Sequence, residues 1–148
     1  MSEQSKTIVF PTDFSEASAE ALCWVQALAH DMHASVHCIY SVEEPQIYGT
    51  LDMGAMATPS IDELTGYASE RLKNFTDEHL TAIGAVETAV LVGRPADEIV
   101  TYAEKQGATM IVMTTHGYSG VKHLILGSTT EDVLRKAHCP VLSVRAKG

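Results

Sequence analysis

Five short β-branched runs are separated by segments of helical period, and this alternation narrows the fold more than any other feature of the chain. The runs are Thr7-Ile8-Val9-Phe10, Ser35-Val36-His37-Cys38-Ile39-Tyr40, Thr88-Ala89-Val90-Leu91-Val92, Met110-Ile111-Val112-Met113 and Pro140-Val141-Leu142-Ser143-Val144. Several are continuously apolar rather than alternating, as in strands of a parallel sheet covered on both faces. Between them, apolar side chains recur at helical intervals. Ala21, Leu22, Val25, Leu28, Ala29 and Met32 form one stripe, and Leu64, Tyr67, Ala68, Leu72 and Phe75 another. Ile99, Val100 and Ala103, then Val133, Leu134 and Ala137, form shorter ones. Ser60-Ile61-Asp62-Glu63 has the pattern of a capping box that opens the second helix. Gly84 and Gly107 follow the second and third helices, where a glycine that ends a helix is expected. The order β-α-β-α-β-α-β-α-β predicts an α/β fold: a doubly wound parallel sheet with right-handed crossovers and helices on both faces.

The 148 residues fit one domain, residues 1–148. Glu44 to Pro59 departs from the alternation. It holds two prolines and two glycines among scattered methionines, and predicts a long loop after the second strand. The formal charge is −9, from 10 basic and 19 acidic residues, with no basic run. That balance argues against a nucleic-acid partner, whose phosphates are gripped by clustered Lys and Arg. No uninterrupted apolar stretch reaches the ~18 residues of a membrane span, and the first residues lack the pattern of a signal peptide. Cys23, Cys38 and Cys139 are widely spaced within apolar segments. They read as buried thiols of a reducing compartment, so a cytoplasmic location is expected.

In an open α/β sheet, ligands bind beyond the carboxyl ends of the strands, where the strand order reverses. The first strand leads into Pro11-Thr12-Asp13, the second into Ser41-Val42-Glu43, and the fourth into Thr114-Thr115-His116-Gly117. Nine residues after Gly117 come Gly127-Ser128-Thr129, just before the fourth helix. A helix start offers unpaired N–H groups and a positive dipole end, which suit an anion. Hydroxyls at Ser128, Thr129 and Thr130 add donors. Two readings stand side by side: a phosphate cradle, or a plain cap in which Ser128 pairs with Glu131. Asp13 has the same ambiguity, as a ligand contact or as a cap with Glu16. His116 reads as a phosphate donor or as a structural residue in a glycine turn. The remaining histidines lack metal-ligand spacing. There is no G-x-x-x-x-G-K-[ST] and no G-x-G-x-x-G after a strand, which sets aside Walker-type and dinucleotide sites. Gly117-Tyr118-Ser119-Gly120 is one residue short of a nucleophile elbow.

Ile8-Val9-Phe10-Pro11-Thr12-Asp13-Phe14-Ser15 resembles the opening strand of universal stress proteins. Val92-Gly93-Arg94-Pro95-Ala96-Asp97-Glu98-Ile99 resembles the exit of their third strand. Thr115-His116-Gly117, Leu126-Gly127-Ser128-Thr129-Thr130-Glu131 and Cys139-Pro140-Val141-Leu142 resemble their closing third. The resemblance implies a five-stranded parallel sheet of order 3-2-1-4-5. ATP-binding members carry G-x2-G-x9-G-[ST] after the fourth strand. Gly117, Gly127 and Ser128 match that pattern, Thr114 replaces its first glycine, and Tyr118 stands where many members have arginine. By position, the resemblance implies adenine and ribose contacts from Pro11, Thr12, Asp13 and the backbone at Ser41. It implies phosphate contacts from Gly117, Gly127, Ser128, Thr129 and Thr130, with Met113 and Thr114 on the floor. The implied ligand is ATP or AMP, with Mg as a candidate companion.

The expected function is an adenine-nucleotide-binding module of a stress response or a regulatory pathway, without fast chemistry. Apart from His116, nothing reads as a general base beside the phosphates. Slow ATP hydrolysis, a ligand-free dimeric interaction protein and an enzyme acting on a nucleotide are the competing readings. A phosphorylated receiver domain would need paired acidic residues after the first strand, where only Asp13 stands. The last strand, at residues 140–144, is apolar and lies at the sheet edge in the implied order, which predicts a homodimer built on it.

Overall fold

The computed structural model describes residues 4–43, 59–115 and 126–145. The expected loop at Glu44–Pro59 lies outside them except for Pro59, and so do His116 and Gly117. The chain runs β1 (Lys6–Pro11), α1 (Glu16–Glu20), α2 (Leu22–Met32), β2 (Ala34–Val42), α3 (Ile61–His79), β3 (Val86–Val92), α4 (Pro95–Lys105), β4 (Met110–Thr114), α5 (Ser128–Lys136) and β5 (Val141–Val144). All pairings are parallel, in the order β3-β2-β1-β4-β5, as expected.

The period-2 alternation of strand side chains splits the core into two layers. Ile8, Phe10, Val36, Cys38 and Val112 point to one face and pack on Leu22, Val25 and Ala29 of α2 and Leu72 of α3. Val9, Ile39, Ile111 and Met113 point to the other and pack on Ala96, Ile99 and Ala103 of α4 and Val133 of α5. The central strands are thus covered on both sides. The edge strand β3 is not: Glu87 and Thr88 are exposed.

Several local expectations are corrected. The first helix is interrupted at Ala21, where the N–H bonds the Ser18 carbonyl in a tightened turn. Ser60 caps α3 by accepting from the Glu63 N–H, as its sequence implied. Gly84 does not end that helix. α3 stops at His79 with buried Leu80 as its cap, and Gly84 sits in the turn leading to β3. Gly107 does end α4: at φ +60° its N–H bonds the Glu104 carbonyl, while the Ala108 N–H bonds that of Ala103. Tyr67 and Leu134 turn to solvent, at 67% and 39% exposure. Both lie at the margins of stripes that Leu72 and Val133 anchor.

Gly93 is required where β3 turns into α4. Its φ is +144°, its N–H bonds the Val42 carbonyl, and an added Cβ would lie 2.6 Å from Glu98 Oε1. Gly93→Ala is expected to destabilise the protein by about 1–3 kcal/mol, read as a lowered urea midpoint. An unchanged midpoint would mean that the turn re-forms without strain.

The cysteines are not uniformly buried. Cys23 is exposed, Cys139 half-buried and Cys38 buried. Burial pushes the Cys38 thiol up to about 12 and raises that of Cys139. A thiolate is the reacting species. Titration of the native protein with an aromatic disulfide at pH 8 is therefore expected to label Cys23 fast and Cys38 only after denaturation. Rapid labelling of Cys38 in the native state would contradict this packing.

Candidate functional site

The strand order reverses between β1 and β4, and the segments leaving these strands diverge to opposite faces. After β1 the backbone makes one more bond to β2, from the Thr12 N–H to the Ile39 carbonyl at 2.9 Å. It then folds back through a network of hydroxyls. Thr12 Oγ1 lies 2.6 Å from Ser18 Oγ and accepts from the Phe14 N–H at 3.0 Å. Asp13 Oδ1 accepts from the Ser15 N–H at 2.9 Å, closing an Asx turn. The cap of α1 is Ser15, which accepts from the Ser18 N–H at 3.1 Å. Asp13 thus does not cap a helix, and Oδ2 has no partner among the described residues. Phe14 holds the turn at φ +65°, ringed by Tyr40, Phe75 and Arg71.

After β4, the chain returns as α5. Gly127, at φ −69° and ψ 157°, occupies the cap position and provides no side chain. Ser128 is the first helical residue, so the Ser128–Glu131 capping box does not form. Glu131 instead pairs with Arg135 at 2.8 Å. Thr130 is buried and its hydroxyl donates to the Thr114 carbonyl at 2.7 Å, clamping the helix start to the end of β4. That proton is committed to the backbone, which leaves the donors of a phosphate contact to Ser128, Thr129 and the first N–H groups of the helix. Lys136 Nζ bonds Asp97 Oδ1 at 3.0 Å, tying α5 to α4 and holding the Asp97 carboxyl below its usual range.

These segments enclose a cleft of about 290 Å3. Pro11, Thr12, Asp13, Ser41, Met113, Thr114, Gly127, Ser128, Thr129 and Thr130 all line it, so the sequence-expected residues within the described part of the chain come together. Ser18, Ile39, Tyr40, Pro95 and Ile99 line it too and were not singled out. The rule that sites lie beyond strand ends would have found Pro95, just past β3, had that exit been read like the others. Nothing in the local sequence marks Ile39 or Ile99, which also serve the core.

The donor set fits a nucleotide. One end of the cleft is a helix start without a side-chain cap, where dipole and N–H groups favour an anion. Ile39, Tyr40, Pro95 and Ile99 add apolar surface to the lining. Asp13 is the one carboxylate in the described lining. No group of three His, Cys, Asp or Glu side chains able to hold a metal ion occurs among the described residues. No helix among them is long and apolar enough to cross a membrane.

The relatives of the chain agree with this architecture. It is 37% identical to universal stress protein MJ0531 of Methanocaldococcus jannaschii over 142 residues, covering 95% of this chain and 82% of that one. The solved structure of MJ0577, from the same organism, superposes with a TM-score of 0.81 at 32% identity and covers 99% of both chains. Two more distant folds were solved with ligands. One is a universal stress protein in complex with cAMP (TM-score 0.71, 22% identity, 98% and 100% coverage), the other one from Archaeoglobus fulgidus in complex with dAMP (0.66, 20%, 94% and 96%). Residues 4–145 match the universal stress protein family, and the chain belongs to it.

Proposed function

We propose that this protein binds an adenine nucleotide, AMP or ATP, in the cleft between β1 and β4 and serves as a nucleotide-dependent regulatory module of a stress response. The start of α5 carries the reading. Its first turn has no side-chain cap and opens on the cleft at Ser128 and Thr129, which is the arrangement an anionic group completes. The phosphate lies on that turn, and the base extends toward the apolar surface of β2 and α4. The cAMP and dAMP complexes of distantly related proteins support the ligand class. The described cleft is at the small end of ligand sites, roughly 300–1,000 Å3, and suits a mononucleotide. Asp13, the one carboxylate in the described lining, would accept hydrogen bonds from ribose hydroxyls. Calorimetric titration with AMP and with ATP, with and without magnesium, tests the proposal. Micromolar-range binding is expected, and neither heat nor a thermal shift at millimolar nucleotide would reject it.

The protein is further proposed to act as a homodimer through β5. This strand pairs with β4 on one side only, and its four residues stay half-buried at the sheet edge. Pairing with the same strand of a second copy about a two-fold axis satisfies its outer N–H and C=O groups and closes the assembly. Light scattering over a dilution series is expected to give twice the 16.0 kDa chain mass. A mass of one chain at tens of micromolar protein ends the proposal.

A further inference from the structure

Ser41 Oγ is a buried side-chain oxygen without a hydrogen-bond partner, the one such atom among the described residues. It lies near the end of β2, in the wall of the cleft. The strand alternation puts it on the same face as His37 and Ile39. The contrast with His37 is instructive. Both ring nitrogens of that buried histidine have partners, Nδ1 with Tyr102 Oη at 2.8 Å and Nε2 with Glu87 Oε2 at 3.3 Å. The β2–α4 layer therefore satisfies its other buried polar side chain and leaves Ser41 unsatisfied. A buried hydroxyl without a partner is destabilising, because it has given up water and gained nothing. Such a group beside a cleft is placed for a partner that arrives from outside.

We propose that the Ser41 hydroxyl hydrogen-bonds the edge of the nucleotide base, and so makes base recognition depend on a side chain as well as on the β2 backbone. The inference rests on the nucleotide reading of the same cleft. Its geometry is set by the sheet. The anion end lies after β4, and β2 stands two strand spacings away, roughly 10 Å, which is about the reach of a mononucleotide from phosphate to base. Ile39, Pro95 and Ile99 line the same cleft with apolar surface for the faces of a purine ring, and Ser41 provides the polar atom that its edge requires. One staggered step about the Cα–Cβ bond re-aims the oxygen. A hydroxyl both donates and accepts, so it can meet a ring nitrogen or an exocyclic amine.

The test compares the wild type and Ser41→Ala, each with AMP, 2′-deoxy-AMP and 3′-deoxy-AMP, together with the ligand-free thermal midpoint. Two opposite effects are expected from one substitution. The ligand-free variant melts about 2–4 °C higher, because an unsatisfied hydroxyl is gone. Its affinity falls about 3- to 10-fold, by the same factor for all three nucleotides, since none lacks the base. Unchanged AMP affinity, or a lower midpoint without ligand, overturns the role of Ser41 while leaving nucleotide binding in place. A penalty that disappears with either deoxy-nucleotide assigns the hydroxyl to the sugar and overturns base reading. Failure of the wild type to bind AMP at all is a different result, which rejects the nucleotide site itself.

Discussion

Gly127→Val is expected to abolish nucleotide binding, with at least about a 100-fold loss of affinity, while the protein still folds. Gly127 is the residue at which the chain turns into α5, and it lies in the cleft wall beside Ser128 and Thr129. Its φ of −69° and ψ of 157° are extended backbone that valine adopts freely, so the substitution does not strain the turn. The Gly127 N–H bonds the Thr115 carbonyl and its carbonyl accepts from the Glu131 N–H, and both bonds survive a change of side chain. The damage falls on the space in front of the helix start. An isopropyl group there displaces the phosphate from the first N–H groups and removes two or more charge-assisted hydrogen bonds at once. Stability falls by only about 1 kcal/mol, since valine is a poorer cap residue than glycine. Gly127→Ala, with a single methyl group, is expected to fall between. Calorimetry alongside urea denaturation separates the two effects. Wild-type affinity in folded Gly127→Val would show that the start of α5 is a structural turn and nothing more.

The sheet was legible because its signal is collective. Five β-branched runs and the helical stripes between them allow few arrangements, and right-handed crossovers prune these further. The central runs, Ile8–Phe10 and Ile111–Met113, are apolar because they are covered on two faces. Single residues were harder to read where two local motifs compete for the same spacing. Asp13 with Glu16 and Ser128 with Glu131 both have the spacing of a capping box, yet Ser15 and Gly127 take the cap positions. In each case the choice depends on where the preceding strand releases the chain, which is a tertiary property. The break at Ala21 and the exposure of Cys23 have the same origin. Apolar composition shows that a segment packs, but not which of its residues faces the sheet. Ser41 shows the limit from the other side: its identity was plain in the sequence, while its lack of a partner exists only in three dimensions.

Replacing Phe14 is expected to reverse the usual ranking of alanine and glycine. Phe14 sits at φ +65°, in the left-handed region, directly after Asp13. That conformation costs an L-residue about 1–2 kcal/mol, and a bulky side chain adopts it only when its surroundings compensate. Here the ring lies tilted against Tyr40 at 4.9 Å and edge-on to Phe75 at 5.9 Å, under the Arg71 guanidinium at 4.5 Å. The ring thus holds the turn in a shape that its backbone resists, and the turn holds Thr12 and Asp13 in the cleft. Phe14→Ala removes the aromatic contacts and keeps the backbone penalty, so a loss of about 2–4 kcal/mol is expected. Phe14→Gly loses the same contacts but releases the strain, and should be the more stable of the two by up to about 1 kcal/mol despite its more flexible unfolded chain. Both variants are expected to bind AMP about 10-fold more weakly, a factor equivalent to ~1.4 kcal/mol, because Asp13 is no longer held in place. Urea midpoints and calorimetric titrations on the two variants read these effects separately. An alanine variant more stable than the glycine one would show that the turn carries no strain. Undiminished affinity in both would mean that the hydroxyl of Thr12 and the Asx turn of Asp13 position the β1 exit without help from the aromatic cluster.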